Sequence, residues 1–172
     1  EASMLSAMKE EEKLARDVYM SLYEKWGSNV FLNISKSEQR HVDAVVRLMA
    51  YYNMPDTIVE EPGLFASEEL KALYDTLTGA GSVSEAEAFK TGALIEDMDI
   101  HDLDLNLAVV TNANVALVFG NLKSGSYNHL VAFTRQLTAM GITYTPVFIS
   151  AEEYNLILTT TPAPGKHRGR NW

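Results

Sequence analysis

The sequence predicts an all-α protein: a four-helix bundle with a long crossover between its second and third helices, a short helix inside that crossover, and a short C-terminal helix. Three observations lead there. Apolar residues recur at 3–4-residue spacing over four long stretches. The first and second stretches, and the third and fourth, are joined by short links, whereas residues 53–83 separate the second from the third. No segment alternates at period two for long enough to build a sheet.

The first helix is expected from Ser3 to Trp26, with Gly27 as its stop. The second covers Val30 to Tyr52 and ends before Asn53 and Pro55. In the crossover, Ser67 opens a short helix to Leu77, with Gly79 and Gly81 behind it. The third long helix runs from Ser84 to Val110 and the fourth from Asn114 to Met140, stopped by Gly141. ITYTPVFI is irregular or briefly extended, and SAEEYNLIL is a terminal helix opened by the capping box Ser150/Glu153. Residues 1–158 form the bundle domain, and 159–172 are a basic Pro/Gly-rich, flexible tail. One long crossover among short links describes the ferritin-like variant of a bundle, with an unrelated bundle or an irregular helical domain as the alternatives.

Composition narrows the function classes. No apolar run approaches the ~18–20 residues of a membrane span. A net charge of −9 argues against a nucleic-acid binder. With no cysteine, disulfides, zinc–thiolate sites, iron–sulfur clusters and thiol nucleophiles are excluded, so any metal is held by oxygen and imidazole. The absence of cysteine and a start at Glu1 rather than Met lean towards an extracytoplasmic location. G-x-S-x-G, Walker and H-E-x-x-H patterns are absent.

Each long helix then breaks its own apolar seam with one or two polar positions near its middle. The second runs Phe31, Ile34, Glu38, His41, Val45, Leu48, Tyr52. The third carries Glu96 within Phe89, Ala93, Ile100, Leu103, and the fourth carries Ser126 and His129 within Phe119, Leu122, Phe133. On the first, registers through Glu11 and through Glu12 fit almost equally well. A bare carboxylate in a bundle core costs several kcal/mol unless it is neutralised, paired or metal-bound. Lys13 and Arg16 flank the first seam rather than lie on it. Plainer readings compete: Ser35-Lys-Ser-Glu38 fits a capping box, KEEEK and EDMDIHDLD fit solvated faces, and Ser126 with His129 fits a core hydrogen-bonding pair.

Glu12-x-x-Ala15-Arg16-x-x-Tyr19 resembles the first-helix signature of rubrerythrin-type ferritin-like proteins, and Glu38-x-x-His41 resembles their second-helix E-x-x-H. Glu96-x-x-Asp99 is similar to a third-helix E-x-x-E, and His129 falls where a fourth-helix E-x-x-H would end. EEEKLARDVY, WGSNVFLNISKSEQRHVDAVVRLM, GALIEDMDIHDL and GSYNHLVAF resemble, more closely, the ferritin-like DUF2202 family over residues 5–158. The resemblance implies Glu12 rather than Glu11, with Glu12 and His41 on one metal, Glu96 and His129 on a second, and Glu38 bridging. Ser126 stands where the second bridging glutamate would be, and Asp99 is the candidate substitute.

The resulting expectation is a di-iron (or single-iron) carboxylate protein, with manganese or zinc as alternatives, running oxidase or peroxide-reducing chemistry. Tyr19 is expected to hydrogen-bond a ligand, to pass an electron, or simply to pack. His101, Asp97 and Asp102 fall off the seam, with surface or supporting roles. The partners this reading admits are metal ions, dioxygen or peroxide, and a second copy in a homodimer. A non-catalytic single-metal protein and a metal-free helical interaction module are the alternatives.

Overall fold

The computed structural model describes residues 1–57 and 59–161, and among them every regular element is helical. The helices are α1 (Ala2–Trp26), α2 (Asn29–Tyr51), α3 (Glu68–Gly81), α4 (Glu85–Val109), α5 (Ala113–Ala139) and α6 (Ala151–Thr160). No described helix is long and apolar enough to cross a membrane. Thr159 and Thr160 belong to α6, and the predicted basic tail lies outside the described residues from position 162 onward.

Local chemistry sets the helix ends. Gly27 adopts φ 69° and donates its N–H to Tyr23 O, closing α1 with the left-handed residue that glycine tolerates best. Ser67, Ser84 and Ser150 cap α3, α4 and α6, each hydroxyl accepting a backbone N–H three residues on. Asn112 does the same for α5, accepting from Asn114 and Val115. Because α2 begins at Asn29, Ser35 lies inside the helix; its hydroxyl donates to Leu32 O, and the capping-box reading of Ser35/Glu38 falls away.

α1 packs on α2, α4 on α5, α2 on α5 and α1 on α4. Glu12 lies across from His41, and Tyr19 from Phe31, so α1 and α2 run in opposite directions. Glu96 opposite His129 and Asp104 opposite Lys123 do the same for α4 and α5, and Glu38 opposite His129 with His41 opposite Gly125 for α2 and α5. α2 and α4 therefore run the same way, which a tight turn between them would forbid and residues 52–84 permit.

The interior is two apolar clusters rather than one. The first gathers Tyr19, Phe31, Phe89 and Phe133, and the second Leu5, Met8, Val45, Met49, Leu103 and Phe119. Glu12 on α1, Glu38 on α2, and Ser126 and His129 on α5 fall between the two.

Four buried charges, Lys9, Lys13, Asp17 and Asp97, do structural work that local periodicity did not show. Lys13 does not flank the core at the surface; it is 1% exposed, and its Nζ donates to Asp17 (2.7 Å), Leu64 O (2.9 Å) and Glu61 O (3.1 Å). Asp17 also accepts from Gly63 N, and fully buried Lys9 donates to Asp56 and Glu60. These contacts fasten the crossover to α1. Asp97, placed off the seam by its spacing, is fully buried and accepts from Tyr144 Oη (2.8 Å) and from the backbone N–H groups of Val147, Phe148 and Ile149. It anchors the irregular segment that leads into α6.

Candidate metal centre

Between the apolar clusters, Glu12 from α1, Glu38 and His41 from α2, Glu96 from α4 and His129 from α5 meet. Two overlapping groups result: Glu12, Glu38 and His41, and then Glu38, Glu96 and His129, with donor atoms in each group within 4.8 Å of one another. Glu38 belongs to both. His41 Nδ1 lies 2.7 Å from Glu38 Oε2 and 3.0 Å from Glu12 Oε2. His129 Nδ1 lies 2.7 Å from Glu38 Oε1 and 3.4 Å from Glu96 Oε2. The imidazoles are stacked with centroids 5.6 Å apart. The arrangement uses helix geometry directly, since Glu38 and His41, at i and i+3, project from one face of α2.

These contacts are close, yet several are not hydrogen bonds. Glu12 Oε1, Glu38 Oε1, Glu96 Oε2 and His129 Nδ1 are all buried, and none makes an aligned hydrogen bond among the described residues. Buried polar atoms are almost always paired, because an unpaired one costs about 1–3 kcal/mol. Here three of the four, Glu38 Oε1, Glu96 Oε2 and His129 Nδ1, face one another, and oxygen with imidazole nitrogen is the donor set that suits iron, manganese or zinc. The residues present therefore fit a metal.

The electrostatics say the same. Burial pushes the Glu12 carboxyl up to about 8, partly offset by His41. Burial, with Glu38 adding to it, also holds Glu96 above the usual range. Burial would raise Glu38 as well, but His129 and His41 outweigh it and keep it below the usual range. Burial opposes charge on His41, yet Glu12 and Glu38 push it up to about 10; Glu38 and Glu96 do likewise for His129, well above its ordinary value. Without a metal, the cluster balances its charge by retaining protons.

A pH dependence follows. Glu12 and His41 titrate higher in the folded chain than in the unfolded one, so their stabilisation is complete below the unfolded values and is lost as pH rises through about 8 and about 10. Glu38 has the opposite sign, its contribution being lost as pH falls below the ordinary carboxylate range. The metal-free protein is expected to melt highest near pH ~5 and progressively lower towards pH ~10. Calorimetry in chelator across that range checks it, and a melting temperature that climbs steadily from pH 5 to 9 would contradict the assignment.

Surrounding residues shape the centre. Tyr19, fully buried, donates its hydroxyl to Glu96 Oε1 at 2.5 Å, and burial together with the nearby carboxylates keeps that phenol protonated. It thus holds one oxygen of Glu96 and leaves the other facing His129. Glu12 is 1% exposed, whereas Glu11 is half-buried beside Asp102, its carboxyl pushed up to about 7 by burial and that neighbour. The structure turns Glu12 inward.

Asp99 is buried on α4, one turn beyond Glu96, but joins neither group; burial and the carboxylates of Glu96, Glu12 and Glu38 push its carboxyl well above the usual range. Ser126 is buried, with its hydroxyl 3.4 Å from Leu122 O rather than on His129. Gly125 was missed in the sequence. A Cβ there would lie 2.5 Å from His41 Cε1 and Nε2, so this glycine makes room for the imidazole. A small residue one turn before His129, on the seam facing His41, was the only available signal.

The chain matches the family model described as "Uncharacterized protein domain (DUF2202)" over residues 1–161, and it belongs to that family. It is 45% identical over 165 residues to the uncharacterized protein MJ0754 of Methanocaldococcus jannaschii, a match covering 95% of this chain and 89% of the relative. The crystal structure of hypothetical protein MJ0754 from Methanococcus jannaschii superposes with a TM-score of 0.91 at 45% identity, covering 92% of this chain and 91% of that one.

Proposed function

We propose that the chain is a ferritin-like, rubrerythrin-type metalloprotein whose four long helices form one bundle domain over residues 1–158, with a dinuclear centre at its middle. Glu12 and His41 hold one ion, Glu96 and His129 the other, and Glu38 bridges. The observation that carries this is the pair of overlapping three-donor groups sharing one buried glutamate, with orphaned donor atoms turned towards one another. The shared direction of α2 and α4 across a long crossover supports the ferritin-like topology.

Iron is the metal proposed first, with manganese or zinc accepted by the same donors. A bound redox-active pair supplies electron transfer and Lewis acidity towards dioxygen or peroxide. The chain's own residues do the rest. Glu38 would serve both ions, Tyr19 orients Glu96 by a hydrogen bond, and the two apolar clusters bracket the donor groups along the helices.

A second reading, a single-metal protein without turnover, is favoured by Ser126: the His129 side has one strong ligand fewer than a symmetric centre would. Elemental analysis of protein purified without chelators and reconstituted with ferrous iron decides between them. Two irons per chain with an oxygen-dependent near-ultraviolet band support the dinuclear centre. One ion, or zinc alone, supports the second reading, and no bound metal sinks both.

A further inference from the structure

A pocket of about 410 Å³ opens between α2 and α5 beside the centre, with His129 among its walls. Its apolar lining is Val30, Ile34 and Ala132, and each helix adds one guanidinium, Arg40 from α2 and Arg135 from α5. Both arginines are exposed, and neither has an ion-pair partner among the described residues. No acidic residue lines this pocket, or the neighbouring groove that holds Arg47. In a chain with 23 acidic and 14 basic residues, a pocket lined by two unpaired arginines and no acid is a local reversal of sign.

The size falls within the range of small-molecule sites, and the combination of apolar wall and separated guanidiniums selects a particular chemistry. A bare inorganic anion would leave the apolar wall unused, and a neutral molecule would leave the arginines unused. We propose that this pocket binds a small organic carboxylate, its anionic end on Arg40 or Arg135 and its apolar body over Val30, Ile34 and Ala132. The carboxylate is thereby the substrate class presented to the His129 side of the centre. That last role rests on the metal reading, whereas binding to the pocket does not.

The test uses metal-free full-length protein and isothermal titration with hexanoate, the neutral hexanamide and inorganic phosphate. Hexanoate is expected to bind, with hexanamide and phosphate each weaker by at least about tenfold. The double variant Arg40→Gln/Arg135→Gln loses hexanoate by at least about tenfold, while Arg47→Gln stays within about twofold. Because both arginines are exposed, circular dichroism is expected to show unchanged folding. Equal affinity for the amide or for phosphate, or undiminished binding by the double variant, overturns the proposal. If the protein takes up no metal, hexanoate binding to the metal-free chain still decides the pocket. On protein that does take up iron, a hexanoate-induced change in the metal's absorption supports the substrate role, and its absence removes it.

Discussion

Glu38→Ala is expected to abolish binding at both halves of the centre, whereas Glu12→Ala and Glu96→Ala each remove one half and leave the other. The asymmetry follows from membership. Glu38 contributes to both three-donor groups, while Glu12 and Glu96 contribute to one each. Ser126 supplies no carboxylate to take its place. An ion that binds only the folded chain, at a free concentration about a thousandfold above its Kd, stabilises by about 4 kcal/mol. For a protein of this size that is a rise in melting temperature of roughly 8–16 °C. Wild type should show the rise and Glu38→Ala should not, with the metal-to-protein ratio falling in parallel. A Glu38→Ala protein that keeps the wild-type ratio and the wild-type thermal shift would remove Glu38 from the centre.

Asp97→Ala should be the most destabilising single change away from the centre, by about 3–5 kcal/mol in urea unfolding. The carboxylate is fully buried and serves one hydroxyl and three backbone N–H groups contributed by residues 144–149. Alanine would take the acceptor from all four donors, two of which, Tyr144 Oη and Ile149 N, are buried, and that is the costly direction of losing a hydrogen bond. Hydrogen exchange should accelerate first at Val147, Phe148 and Ile149, while metal stoichiometry stays unchanged. A loss below about 1 kcal/mol would show that the segment finds other partners.

How much of this was legible in the sequence depended on how far the partners lie along the chain. Helix ends were readable because their causes are local: Ser67, Ser84 and Ser150 each bond a backbone N–H three residues away, and Gly27 closes α1 over one turn. Polar interruptions of the seams were readable too, since Glu38, Glu96 and His129 each replace an apolar residue in an otherwise regular period. What periodicity could not rank was Glu11 against Glu12, because both registers bury nearly the same apolar set. Three-dimensional packing made the choice.

The burial of Lys9 and Lys13 was invisible for a different reason. Their partners sit 47–51 residues away on the crossover, and two of those partners are backbone carbonyls that no side-chain pattern announces. Asp97 is the same case, its acceptors serving N–H groups 50–52 residues downstream. Asp99 shows the converse limit: one turn after Glu96 places it on the right face, but its shorter side chain joins neither donor group.

Lys9, Lys13 and Asp17 stand on successive turns of the helix that also supplies Glu12. α1 is consequently bolted on two sides, to the crossover through buried charges and to its helical neighbours through the core. Rolling or sliding it to carry Glu12 elsewhere would first tear Lys13 from two carbonyls of the crossover and Asp17 from Gly63 N. Adjustment at Glu12 is thereby left to the torsions of its own side chain, on a helix held in place from both sides.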